Sequence, residues 1–289
     1  MDSKYILLGA ACCLAAADAA GAASNTGRRQ NKDSQEKPNI IIIMADDMGY
    51  SDIGCFGGEI PTPNIDALAQ SGIRYTQFYN TGRSCPSRAS LLTGLYAHQA
   101  GIGRMSEDPG SRPEKEESCP DGYKGFLNRS CVTIAEVLKS EGYDTYMAGK
   151  WHVGMHGQEK WPLQRGFDRF YGILAGACNY LRPQGGRGLT LDNTKLDPPS
   201  QPYYTTDAFT DYALDFISNR EKDNPFFLYI AFNAPHWPLQ AKQEDIDRFL
   251  HKYDAGWQSI RAARVERMKA LGIIPENCEA AEWESRMWE

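Results

Sequence analysis

The sequence lacks an excess of positive charge, an internal repeat and a paired-cysteine metal motif. Lys and Arg number 31 against 37 Asp and Glu, so the net charge is −6. This acidic balance gives no electrostatic reason to bind nucleic acid. None of the eight cysteines forms a CxxC pair, so a structural zinc site is not expected. With 42% hydrophobic and 24% charged residues, the composition excludes a disordered chain, a collagen-like repeat and a multi-span membrane protein.

Long apolar runs are also scarce, and the one at the N-terminus, residues 5–17, is too short to span a bilayer. Small residues follow at Ala20-Gly21-Ala22. The pattern predicts a signal peptide over residues 1–22, and therefore export to the periplasm or the medium without stable membrane insertion. Cys12 and Cys13 leave lipid anchoring open, although neither has Leu, Ile or Val three residues before it.

A polar, flexible linker is expected over residues 23–37, and a folded domain over residues 38–289. Six cysteines follow the signal segment, and export permits disulfides. Cys119 and Cys131 flank a glycine-containing loop and are the best candidates for a pair, although connectivity cannot be read from sequence.

Strands alternate with helices along the folded part of the chain. Apolar runs predict strands at 39–44, 143–148 and 226–232, the first of them buried on both faces. Helix signals and apolar periodicity predict helices at 62–68, 86–94, 133–142, 209–217 and 255–271, and loops at 103–125 and 170–204. This alternation indicates an α/β fold with a mainly parallel sheet.

Each predicted strand ends in a polar cluster. The clusters are Asp46-Asp47, Lys150-Trp151-His152 and Asn233-Ala234-Pro235-His236. Open α/β sheets bind ligands beyond the carboxyl ends of their strands. We therefore expect the three clusters to converge on one site.

The residue types in these clusters suit a metal and an anion. Adjacent carboxylates at Asp46 and Asp47 repel unless a cation neutralises them, and hard oxygens favour calcium or magnesium. The alternative is a turn or helix-capping acid. Lys150 and His152, two residues apart on an extended segment, would face one cleft as an anion binder and an acid or base. The alternative for these two residues, and for His236, is a purely structural role.

Ser84 and Arg88 flank the start of a predicted helix. Taken alone, Ser84 is most simply an N-cap. A helix N-terminus also favours an anion, however, and the Arg88 guanidinium suits tetrahedral oxyanions.

Four motifs together resemble the type I sulfatases, and their order and spacing resemble the bacterial arylsulfatases. The motifs are residues 38–47, Ser84-x-Pro-Ser-Arg88 with Leu91-Leu92-Thr93-Gly94, Gly149–His152 and Ala234–His236. The resemblance implies an alkaline-phosphatase-like three-layer sandwich around a mainly parallel sheet. It also implies hydrolysis of a sulfated small molecule or glycan.

The resemblance further implies a formylglycine made from Ser84 by a Ser-type sulfatase-maturing radical enzyme. Cys85 then occupies a variable position and is not the nucleophile. Without conversion, Ser84 would be a poor nucleophile with no adjacent base. Asp46 and Asp47, together with the residue at position 84, would hold one calcium ion.

Four further roles follow from the same resemblance. Arg88 would orient and stabilise the formylglycine, and Lys150 would contact the sulfate and the leaving oxygen. His152 would assist release of sulfate from the enzyme, and His236 would protonate the leaving oxygen.

The sequence departs from the family pattern in one respect. Sulfatases also use an Asp-Asn metal pair after a later strand, followed by a second lysine. Asp192-Asn193 and Asp223-Asn224 are interpreted as turn residues instead. We therefore expect the N-terminal portion of a sulfatase, with a sheet incomplete on its C-terminal side and calcium binding weakened.

Three hypotheses remain. The first is an active sulfatase, and the second is a catalytically inactive fragment that at most binds a sulfated ligand or a partner chain. The third, a phosphatase or phosphoethanolamine transferase of the same superfamily, is disfavoured by the Pro-Ser-Arg pattern.

Overall fold

A computed structural model of the chain describes residues 37–105, 119–221 and 223–281, and the backbone of a short strand at Tyr5–Leu7. The chain forms two compact units, each described by itself. The first comprises residues 1–46 and 80–240, and the second comprises residues 47–79 and 241–289.

A seven-stranded sheet forms the centre of the first unit. Its strands are β1 (Tyr5–Leu7), β2 (Asn39–Asp46), β3 (Asp144–Lys150), β4 (Arg169–Ile173), β5 (Leu189–Leu191), β6 (Thr194–Lys195) and β7 (Phe226–Pro235). The spatial order is β1-β2-β7-β3-β4-β5-β6. The pairs β1–β2, β2–β7, β7–β3 and β3–β4 are parallel. The pairs β4–β5 and β5–β6 are antiparallel and lie at one edge of the sheet. The predicted α/β fold with a mainly parallel sheet is confirmed, and the three strands that carry the polar clusters are neighbours.

The helices of the described residues follow local sequence signals. They are α1 (Pro63–Ser71), α2 (Ser84–Thr93), α3 (Ile134–Ser140), α4 (Thr205–Ser218), α5 (Gln243–Phe249) and α6 (Gly256–Ala270). Pro63 occupies the first turn of α1, as predicted. Thr133 and Glu136 form the predicted capping box of α3, each side chain bonding the other's backbone N–H. Helix α2 begins two residues earlier than predicted, and α5 was not predicted.

Two apolar cores lie on opposite faces of the sheet, because side chains alternate along a strand. On β7, Phe227 and Tyr229 pack on one face with residues of α2 and α3. Phe226 and Leu228 pack on the other face with Phe209 and its neighbours on α4. Each fully buried side chain of this size contributes about 1.5–3 kcal/mol. The predicted three-layer arrangement is confirmed.

Residues 170–204 are mostly loop, as predicted, although β5, β6 and nearly all of β4 lie within them. Glycine weakens the strand signal of β4, yet Gly172 is required there, because a Cβ would lie 1.8 Å from the Gly149 carbonyl oxygen. The expectation that β2 is buried on both faces is wrong. Ile43 is 48% exposed, and β1 pairs with β2 only as far as Ile41.

The predicted Cys119–Cys131 disulfide is wrong as well, since both residues are free thiols. The Cys119 thiol contacts the Tyr123 carbonyl oxygen at 2.9 Å, and the Cys131 thiol contacts the Asn128 carbonyl oxygen at 3.2 Å. Each buried thiol therefore finds a partner in its own loop.

Several predicted segments lie outside the described residues. They include the cleavage signal, nearly all of the linker and residues 106–118 of the predicted surface loop. Of the predicted signal peptide, only the backbone of β1 is described. No helix within the described ranges has both the length and the apolar character needed to cross a membrane.

An arginine on α6 organises the second unit. Arg264 Nη1 lies 2.6 Å from Asp52 Oδ1, and Arg264 Nη2 lies 2.5 Å from Glu59 Oε2. Nearby, Arg267 donates to the Gly57 carbonyl oxygen at 2.8 Å. Burial raises the pKa of Glu59, but the hydrogen bond and charge of Arg264 outweigh it, so the pKa is lowered overall. These contacts join α6 to residues 52–59.

We predict that Glu59→Gln destabilises the chain by about 1 kcal/mol at neutral pH. Since the folded-state pKa is lowered, Glu59 stabilises the fold above its unfolded pKa. That stability is lost as the pH falls through the folded-state pKa. Denaturant unfolding between pH 3 and pH 7 measures this loss of unfolding free energy. Glu266→Gln, in the exposed pair with Lys269, is the control, and equal effects of the two variants at neutral pH would contradict the prediction.

Candidate active site

A buried carboxylate, Asp46, lies between two buried cations at the carboxyl end of β2. Asp46 Oδ2 is 2.5 Å from Lys150 Nζ, and Asp46 Oδ1 is 3.3 Å from Arg88 Nη2. All three side chains are at most 5% exposed. Burying charges is costly unless they are paired. The three charges together leave this group with a formal net charge of +1.

Ser84 is the first residue of α2, and its side chain faces this group. Ser84 Oγ lies 3.2 Å from Arg88 Nε, 3.2 Å from His152 Nδ1 and 3.5 Å from Asp46 Oδ1. The N-cap interpretation is wrong, because the cap residue is Arg83 and no side chain caps the helix. The expectation that unmodified Ser84 has no adjacent base is also wrong, given the contact with His152.

Helix geometry separates Ser84 from its neighbour Cys85. Ser84 and Arg88 are four residues apart and share one helix face. Cys85 points into the apolar core with no exposed surface. Its thiol contacts the Arg104 carbonyl oxygen at 3.5 Å. The placement is consistent with the expectation that Cys85 is not the reactive residue.

Arg88 is held by more partners than the sequence indicated. Arg88 Nη1 donates to the Lys150 carbonyl oxygen at 3.0 Å and to Tyr229 Oη at 3.2 Å. Tyr229 in turn contacts Met44 Sδ at 3.4 Å. Tyr229 was not predicted as a site residue, because a tyrosine inside an apolar strand is indistinguishable from an ordinary core residue.

His152 reaches the site through an unusual backbone conformation. Strand β3 ends at Lys150, and His152 has φ 57°. The two side chains do meet at one site, but the reason given, an extended segment, is wrong. Burial, followed by the positive charges of Lys150 and Arg88, holds the pKa of His152 well below its usual value. The imidazole is therefore neutral near pH 7.

Gly176 makes room for that imidazole. A Cβ at Gly176 would lie 2.5 Å from both Cε1 and Nε2 of His152. His152 Nε2 is buried and has no hydrogen-bond partner among the described residues. Sequence alone gave no signal for Gly176, since the contact depends on how the segment after β4 folds.

The remaining predicted residues are His236 and Asp47. His236 follows β7, and its Nδ1 lies 2.5 Å from the Trp237 carbonyl oxygen. Its charge contributes to the lowered pKa of His152, so it belongs to the same neighbourhood. Asp47 has φ 62° and falls in the second unit. The structure thus brings Asp46, Ser84, Arg88, Lys150 and His152 into direct contact.

The described residues do not complete a calcium site. Calcium takes roughly 6–8 oxygen ligands. Both oxygens of Asp46 already face cations. Within the described ranges, no group of three or more His, Cys, Asp or Glu side chains could hold a metal ion. The Asp-Asn pairs are turn residues as predicted: Asp192, at φ 54° between β5 and β6, pairs with Arg169.

The chain belongs to the sulfatase family, whose sequence model matches residues 38–271. Its members generally depend on a formylglycine and a metal ion. An arylsulfatase of Klebsiella aerogenes is 39% identical over 84% of this chain and 52% of its own length. An uncharacterized sulfatase of Schizosaccharomyces pombe is 37% identical over 84% of this chain and 46% of its own length. The chain thus spans about half the length of the curated relatives it matches.

Solved structures agree with this assignment. Ps i-CgsB, in complex with k-i-k-neocarrahexaose, superposes with a TM-score of 0.62 at 33% identity. The match covers 82% of this chain and 54% of that one. BT4656, in complex with its substrate D-glucosamine-2-N,6-O-disulfate, gives a TM-score of 0.59 at 28% identity, over 75% of this chain and 38% of that one.

We predict that Gly176→Ala displaces the His152 imidazole, because the new methyl group would overlap the ring. The expected cost is about 1–3 kcal/mol of unfolding free energy, together with shifted imidazole resonances in NMR spectra. Gly186→Ala is the matched control, since a Cβ there meets open space. Identical spectra and stabilities for the two variants would show that the ring is not confined by Gly176.

Proposed function

We propose that the chain is a sulfuric ester hydrolase that acts through a formylglycine made from Ser84. The observation that carries the proposal is the contact of Ser84 Oγ with both Arg88 and His152, beside the buried Asp46–Lys150 pair. The reaction consumes water, breaks an ester bond and yields sulfate and an alcohol. Family membership supports this class of reaction.

The formylglycine would supply the oxygen nucleophile. Arg88 Nε orients the side chain at position 84. The neutral His152 can accept a proton at Nδ1, 3.2 Å from Ser84 Oγ. We propose that His236, at the same sheet edge, gives a proton to the leaving alcohol.

Electrostatics favour an anionic substrate. Lys150 and Arg88 carry two positive charges against the single negative charge of Asp46. In a water-excluded site, such an excess stabilises an incoming sulfate group and the charge that develops during its transfer. Lys150 is proposed to contact the sulfate and the leaving oxygen.

We propose a sulfated glycan as the natural substrate and an aryl sulfate as a laboratory surrogate. The support is similarity: Ps i-CgsB holds a neocarrahexaose, BT4656 holds a disulfated glucosamine, and a bacterial relative is an arylsulfatase. The proposal also includes a Ser-type radical maturase as partner, a signal peptide, and export to the periplasm or medium.

A second candidate function is sulfate binding without turnover. The pairing of Asp46 with two cations favours it, because a calcium ion at Asp46 must compete with Lys150 and Arg88. Calcium bound by Asp46, Asp47 and the residue at position 84 thus remains a proposal, and no step above depends on it.

We predict that Ser84→Ala abolishes sulfate release from an aryl sulfate, since no other described hydroxyl contacts both Arg88 and His152. The assay uses the full chain co-expressed with a Ser-type maturase, and mass spectrometry of the peptide around Ser84 follows conversion. Ser90→Ala is the control, because Ser90 Oγ has no hydrogen-bond partner among the described residues. Release that persists in Ser84→Ala would refute the assignment, and conversion without release would favour the second function.

We further predict that calcium binds the chain weakly, with a dissociation constant of roughly millimolar or higher. The reason is that Asp46 is already neutralised, and the described residues hold no group of three or more His, Cys, Asp or Glu side chains around it. Titration calorimetry measures the affinity directly. A roughly micromolar constant would show that oxygens beyond Asp46 and Asp47 complete the site.

A further inference from the structure

A bulge in β7 lies at the edge of the candidate site. Met44 of β2 pairs with Ala231, and Asp46 pairs with Pro235. Strand β2 thus advances two residues while β7 advances four. Three residues of β7, 232–234, therefore stand opposite the single residue Ala45 of β2, with Asn233 at their centre. Bulges beside functional sites commonly redirect a side chain out of the regular pleat.

The Asn233 side chain is buried and incompletely bonded. Asn233 is 1% exposed, and Oδ1 has no hydrogen-bond partner among the described residues. Nδ2 contacts only a weak acceptor, Cys178 Sγ, at 3.4 Å. A buried polar atom without a partner is costly and rare, and a bound water, ion or ligand can satisfy it.

The Cys178 contact can also form with the amide reversed. Burial raises the pKa of the Cys178 thiol to about 12, although Lys150 and Arg187 lower it. The thiol is therefore protonated, and its S–H can donate to an amide oxygen. A half-turn of the carboxamide places Oδ1 against the thiol and leaves Nδ2 as the unpartnered end. An unpartnered N–H group suits an anion.

The backbone of Asn233 is firmly held, which fixes where its side chain leaves the strand. The Asn233 carbonyl oxygen accepts from Tyr180 Oη at 2.8 Å and from the His236 backbone N–H at 3.1 Å. The bulge lies between Asp46 on β2 and the end of β3, where Lys150 lies. The net positive group lies at the same end of the sheet, and the charge of Lys150 acts on Cys178, which the Asn233 amide contacts.

Building on the proposed function, we propose that Asn233 is a further substrate-binding residue whose amide donates a hydrogen bond to an oxygen of the sulfate group. The bulge directs the Asn233 side chain out of the regular pleat. One polar atom of its amide lacks a hydrogen-bond partner, and the cations at this end of the sheet favour an anion. Lys150 then supplies positive charge, and Asn233 supplies a directional hydrogen-bond donor.

Inorganic sulfate is the probe, and titration calorimetry on the full, unconverted chain is the measurement. Asn233→Asp keeps the shape but replaces the N–H donor with a negative oxygen, so it should weaken sulfate binding by roughly tenfold or more. Asn179→Asp is the matched control. It adds the same charge to an exposed residue whose Oδ1 accepts from the Leu181 and Arg182 backbone, a role that aspartate preserves.

The outcomes separate this inference from the proposed function. Weakened sulfate binding in Asn233→Asp, with unchanged binding in Asn179→Asp, supports the inference whether or not the chain turns over. Equal binding by wild type and Asn233→Asp overturns it. Sulfate release by a wild-type chain that does not bind sulfate also overturns it, yet leaves the proposed function standing. Asn233→Ala should reproduce the loss in milder form if Asn233→Asp folds poorly.

Discussion

The charged contact of Asp46 with Lys150 and Arg88 is the constraint on which the first unit depends. These three residues come from β2, β3 and α2, and none of them is stable in an apolar interior alone. Removing one partner would leave an uncompensated buried charge, which typically costs about 3–5 kcal/mol. The contact therefore fixes both strand ends against the start of α2, and with them the position of Ser84.

Sheet order makes this contact attainable. Strand β7 lies between β2 and β3, so the hydroxyl of Tyr229 on β7 can contact Arg88. Close packing of β7, β3 and β4 requires glycines. A Cβ on Gly149, which has φ 116°, would lie 2.0 Å from the Ala231 carbonyl oxygen. The glycines that allow these strands to approach closely thus also set how the side chains at the strand ends are placed.

Electrostatics and packing act together on His152. Its imidazole is neutral because it is buried beside two cations, and it is held where Gly176 leaves space. A neutral imidazole against Ser84 can exchange a proton with it, whereas a charged one could only donate. Burial is thus the first cause of the neutral imidazole, and the neighbouring cations add to it.

The sequence by itself determined the local features. Apolar runs predicted β2, β3 and β7, the Thr133–Glu136 spacing predicted the cap of α3, and four motifs together identified the family. Tertiary structure decided the rest. It left Cys119 and Cys131 as free thiols and paired two cations with Asp46. It also placed Tyr229 and Gly176 against residues of the site. The physical reason is that helix and strand signals depend on neighbours in the chain. Hydrogen bonds, ion pairs and steric room depend instead on residues that only the packed sheet brings together.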